Sequence, residues 1–127
     1  MSQPSAVSTI WTTHFTVPGA PKGFSVRNTT PTNPNGVDVM MEQWLPGSSE
    51  PPHSHPGDDM TVVIEGKMAV QFFTRKDGAL IPDGDPLILN AGETCYIQAG
   101  RIHDAKYITE CKLVYVHDKA FGFVEEK

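Results

Sequence analysis

A chain of 127 residues and 13.9 kDa has the length of one ordinary domain, and at that size it can fold without staples. Ten Lys and Arg against fifteen Asp and Glu leave a formal net charge of −5, which disfavours phosphate-tracking nucleic-acid binding, since that needs a basic stripe. Eleven glycines and eleven prolines, above their usual combined share of roughly 12%, belong with turn-rich architectures and not with helix bundles.

Residues 1–8 read as a flexible N-terminal tail and 9–127 as a single domain. The first eight residues lack the basic and apolar regions of a signal peptide, and no apolar run approaches the ~18 residues of a membrane span. Cys95 and Cys111 form no CxxC pair, so they read as partly buried free thiols. A cytoplasmic protein with no membrane or nucleic-acid partner is the expectation.

Thr9 to Val17 is rich in β-branched and aromatic residues and reads as a first strand. Seven prolines between Pro18 and Pro52 exclude a long helix there; strands fit over Gly23 to Thr29 and Val37 to Leu45. Met60 to Ile64 is a strand stopped by Glu65-Gly66, and Lys67 to Phe73 is the next. Lys76-Asp77-Gly78 is a hairpin turn signal. Further strands are expected over Leu87 to Leu89, Glu93 to Ile97, His103 to Thr109, Lys112 to Val116 and Phe121 to Val124. A helix is conceivable over 101–121, but Tyr107, Ile108, Val114, Tyr115 and Val116 favour strands. Nine or ten short strands at this spacing predict an all-β sandwich or barrel.

Three of the five histidines fall in two short segments. In Pro52-His53-Ser54-His55-Pro56, an extended chain puts residues two apart on one face, so both imidazoles converge. Asp59 follows past Pro56-Gly57, and His103 opens a strand after Gly100-Arg101-Ile102. Three neutral imidazoles and a carboxylate suit one divalent transition metal ion, whether Fe, Mn, Ni, Cu or Zn.

The spacing from Gly47 through His53, His55 and Asp59 to Gly66 forms one frame. Gly92, Gln98, Gly100, His103 and Tyr107 form a second. These frames resemble the two motifs of the cupin family, small double-stranded β-helix barrels of jelly-roll type. Seven of the ten positions carry the family's residue. Asp59 stands for a glutamate, Gln98 for a proline and Tyr107 for an asparagine. The 25 residues between Gly66 and Gly92 predict an extended hairpin around 74–86. Aspartate is shorter than glutamate, so three readings of Asp59 stand open: direct ligation with a closer backbone, ligation through water, or a supporting role beside a three-histidine site. Asp58 is a solvated carboxylate.

The resemblance implies that the barrel interior is the active cavity. Thr61 and Val63 share inward parity with Asp59; Ala105 and Tyr107 share it with His103. Tyr107 is the candidate catalytic residue, a phenol able to donate to a substrate oxygen, or else a packed core aromatic. Before Gly47 either Met40, Glu42 and Trp44 or Met41, Gln43 and Leu45 point inward. Phe72, Tyr96 and Tyr115 are candidate walls, and Arg101 either guards the mouth or faces solvent. His14 and His117 lie outside both frames and are left out of the site. The expected function is metal-dependent enzymology on a small oxygenated molecule, by Lewis-acid or oxygen-activating chemistry of the dioxygenase, isomerase, lyase or cyclase kind. The alternatives are a non-catalytic, metal-assisted binding or sensing module and a metal-free structural barrel. Barrels of this kind pair through edge strands, so a homodimer exchanging residues 9–17 is expected.

Overall fold

Alternation of buried and exposed positions fixes the strands. In Cys111–His117 every second side chain is buried, and Asp59–Glu65 and His103–Tyr107 follow the same period. The structure, a computed structural model, describes residues 11–28 and 36–127. Eleven strands run through the described residues: β1 Phe24–Asn28, β2 Asp38–Trp44, β3 Ser49–Ser54, β4 Asp59–Glu65, β5 Lys67–Lys76, β6 Ala79–Pro82, β7 Leu87–Asn90, β8 Thr94–Ile97, β9 His103–Tyr107, β10 Cys111–His117 and β11 Val124–Glu125.

They form two antiparallel sheets. One has the order β1-β2-β10-β4-β8, the other β11-β3-β9-β5-β6, with β7 pairing the opposite end of long β5. From β2 to β5, and again from β8 to β11, consecutive strands change sheet. That winding is the jelly-roll topology expected, and it is all-β. Between the sheets Trp44, Val63, Met68, Val70, Leu89, Leu113 and Tyr107 pack into one core. Cys95 and Cys111 are buried in it as free thiols.

The expected tail at 1–8 lies outside the described residues, as do Thr9 and Ile10. The described part of the run expected over 9–17 is not a strand. Trp11 and Thr12 occupy a turn, and Phe15 makes one isolated bridge to Val26; Pro18, Gly19, Pro21 and Gly23, which follow directly, leave it no length over which to pair. Phe121 to Phe123 is likewise not a strand. Only Val124 and Glu125 pair, with Ser54 and His53 of β3. The hairpin expected around 74–86 is present, with Lys76 facing Ala79 across Asp77 and Gly78, both at positive φ, the two-residue turn whose twist matches the strands.

Gly66 joins β4 to β5 at φ +103°, and a Cβ there would collide with the Glu110 carbonyl oxygen and crowd Cys111. Gly66→Ala is therefore expected to cost about 3 kcal/mol, from left-handed strain and overpacking together. A urea-denaturation midpoint shifted by less than a third of that would show that the β4–β5 corner can relax.

Candidate metal centre

His53 on β3 faces His103 on β9, which in turn faces Phe72 on β5. His55 follows the end of β3, and its carbonyl accepts the Gly100 N–H at 2.9 Å, which ties the two histidine segments together. Each ring is held the same way. Nδ1 of His53 donates to the Pro51 carbonyl at 2.6 Å, that of His55 to Gly122 at 2.7 Å, and that of His103 to Arg101 at 2.9 Å. A ring nitrogen facing a carbonyl must carry the proton, so Nε2 of each keeps its lone pair. Ligand atoms of the three residues lie within 4.8 Å of one another, and all three are buried. Burial, with repulsion from His103, lowers His53 to about 3; burial lowers His103 to about 4, and His55 shifts the same way. At neutral pH the rings are uncharged, which is the form that binds a metal. The donor set fits a divalent transition ion.

The histidines open into a cavity of ≈ 1100 Å³ between the sheets. Its floor takes the first of the two faces left open on β2: Met40, Glu42 and Trp44 point inward. Of the carboxyl groups that line it, Glu42, Glu50 and Asp59 each accept from an aromatic side chain. Glu42 accepts from Trp44 Nε1 at 2.9 Å, and Glu50 Oε1 accepts from the Tyr107 hydroxyl at 2.6 Å. Asp59 Oδ2 accepts from the Tyr115 hydroxyl at 3.1 Å, while its Oδ1 is buried without a partner. Burial raises Glu42 to about 8, helped by the neighbouring Glu50. Burial also raises Glu50 and Asp59 to about 7, each partly offset by its tyrosine.

Of the expected ligands the structure brings together His53, His55 and His103; Asp59 lies on the facing sheet and is not in that compact group. Tyr107, the candidate catalytic phenol, is 2% exposed, stacks on Trp44 at 4.1 Å and spends its proton on Glu50. Thr61 and Ala105 line the cavity, whereas Val63 belongs to the core beneath it. Tyr115 is a wall, but Tyr96 is 57% exposed because its parity on β8 points outward. Arg101 faces away, held by the Phe73 carbonyl and Asp83 and lying over the Phe72 ring. Asp58 is engaged by the Ala99 N–H.

Two site residues lie outside the expected set, and one of them escapes a parity argument. Glu50 Oε2 stands 3.6 Å from His53 Nε2, although residues three apart on a regular strand face opposite ways. The register of β3 shifts between Glu50 and His53, across Pro51 and Pro52, and that bulge turns both inward. Prolines in mid-strand were the signal available. His117 faces the same cavity at the end of β10, its Nδ1 held by the Lys119 carbonyl, and pairs across the sheet with Asp38 and Asp59. Alternation with Tyr115 was its signal. Phe123 stacks on His53 at 4.2 Å, and Phe121 lies 5.5 Å from the His55 ring.

The family description that matches is the cupin domain, over residues 40–117. The chain belongs to the cupin family. This cupin is 35% identical over 72 residues to germin-like protein subfamily T member 2 of Arabidopsis thaliana, covering 56% of the chain and 30% of that protein. Among solved structures it is similar to an oxalate oxidase, with TM-score 0.64, 26% identity and coverage of 84% of this chain and 57% of the other. A cupin superfamily protein of Desulfitobacterium hafniense shares the fold end to end, with TM-score 0.66, 12% identity and coverage of 94% and 93%. The chain spans under a third of the germin-like protein and little more than half of the oxidase.

Proposed function

We propose that this cupin is a metal-dependent enzyme acting on a small oxygenated molecule, with His53, His55 and His103 holding one divalent transition metal ion and Glu50 handling the proton. The observation that carries the reading is the largely enclosed carboxylate beside the histidine cluster, Glu50 Oε2 at 3.6 Å from His53 Nε2 and 15% exposed. An ion held there would supply Lewis-acid polarisation or oxygen activation. The chain supplies the rest. Glu50 takes up or returns a proton at Oε2, while the Tyr107 hydroxyl on Oε1 keeps the carboxyl plane fixed. Phe121 and Phe123 cover the imidazoles and keep water from them. That an oxalate oxidase of the same fold has been solved with glycolate supports a small oxygenated ligand.

Metal-replete Glu50→Gln is expected to lose about 100-fold in kcat, within the usual range for general acid–base groups, with metal content unchanged. Asp59→Ala is expected to retain metal stoichiometry and affinity, because Asp59 stands outside the histidine group. Full activity in Glu50→Gln would remove its role. No turnover of a panel of oxygenated small molecules by the metal-replete protein, with or without air, would leave only a metal-assisted binding module.

A further inference from the structure

The polar groups of the cavity are unbalanced. Three side chains on its wall have strong donors, and each is spent on a cavity carboxyl: Trp44 Nε1 on Glu42, Tyr107 on Glu50 and Tyr115 on Asp59. The histidines spend their N–H on backbone carbonyls, His117 included. Among the described lining residues Lys22 is the one lysine or arginine, and it is exposed; Arg101 is engaged outside. Acceptors are left over. Glu50 Oε2 has no hydrogen-bond donor, and Asp59, only 2% exposed, keeps Oδ1 buried with no partner. A buried acceptor without a donor costs free energy that a ligand can recover.

We propose that the cavity selects a small neutral or cationic molecule bearing hydroxyl or amino donors, such as a vicinal polyol or amino alcohol, and rejects carboxylate dianions such as oxalate, with Asp59 as a specificity-determining residue. This rests on the metal-dependent reading above for its chemistry, but the donor count does not. Asp38, Glu42, Glu50, Asp59 and Glu125 all line the cavity, so a divalent ion would offset two carboxylates and leave no surplus positive charge to hold a dianion. Among the described lining residues Thr61 is the one buried hydroxyl free to donate, too little for two carboxylate groups.

Isothermal titration of the metal-replete protein with erythritol, 2-aminoethanol, oxalate and malonate, at about pH 8.5 where the carboxyls are ionised, tests this. Erythritol or 2-aminoethanol is expected to bind at least tenfold more tightly than either dianion, their ranking showing whether hydroxyl or amino donors are preferred. Asp59→Asn should weaken that binding roughly tenfold, since it replaces one acceptor oxygen by a donor, while a circular dichroism melt and metal content report an intact fold and site. Oxalate or malonate binding as tightly as the donor-bearing ligands, or neither donor ligand binding, overturns the proposal. Absence of metal uptake is a separate result: it removes the catalytic reading, and the same titrations on metal-free protein then decide the ligand class.

Discussion

Divalent transition metal at roughly 100 to 1,000 times its dissociation constant is expected to stabilise the wild-type fold by about 3–4 kcal/mol. For a domain of this length that is a rise in Tm of roughly 10–15 °C. His103→Ala is expected to abolish the rise. The effect is large because little has to be reorganised when the ion binds. Each imidazole is already oriented by its own carbonyl, and no proton has to leave, since burial keeps His53 and His103 neutral far below pH 7. The informative quantity is the metal-induced difference in Tm, measured for each variant with metal and with chelator, because His103→Ala also removes packing against Phe72. A wild-type Tm indifferent to chelator would return the molecule to a metal-free structural barrel.

The second large effect concerns Glu42, 8% exposed on the cavity floor. Its carboxyl has an ordinary value of 4.5 and is raised to about 8 by burial, with Glu50 on β3 and then Asp59 on β4 adding repulsion and Trp44 opposing. Because the folded value lies above the unfolded one, the protonated group's contribution is fully present below about pH 4.5 and is lost as pH rises towards 8. The histidines run the other way, their folded values being lowered, so their contribution is lost as pH falls below about 6.5. The window from 6.5 to 8 therefore belongs to the carboxyls. Glu42→Gln keeps an acceptor for Trp44 and removes the ionisation. Relative to wild type it should gain about 1.4 kcal/mol per pH unit across this window, reaching a few kcal/mol near pH 8. Urea denaturation of the metal-free proteins at three pH values gives the comparison. Parallel curves would mean that Glu42 is solvated in ways its burial does not suggest.

The histidine frames and their glycines are legible because they depend on local spacing. Two imidazoles two residues apart, a glycine at each corner and an Asp-Gly turn each impose a conformation on a few bonds. What depends on distant pairing was hidden. The inward face of β2 is decided by which residues of β10 lie opposite, so Glu42 and Trp44 could not be told from Gln43 and Leu45 in isolation. Glu50 joins the site only through a register shift against β9, and period-two counting places it outside. His117 belongs to no motif, and its place in the cavity follows from β10 lying between β2 and β4. The described part of the expected first strand differs for the opposite reason: from Trp11 to Val17, strong β propensity meets no edge along which to zip, apart from Phe15 against Val26.

The segment that roofs the imidazoles is fastened by two rungs of β ladder to β3, by single bonds from His55 to the Gly122 carbonyl, from Ser54 to Glu126 and from the Glu126 N–H to the Pro52 carbonyl, and by Arg75, which grips Glu126 and the Lys127 carbonyl from the far hairpin. So short a ladder frays at much lower free energy than the strands beneath it. Passage of molecules in and out would then be timed by the peeling of this flap, and neutralising a guanidinium remote from the reactive groups would speed exchange without altering the floor.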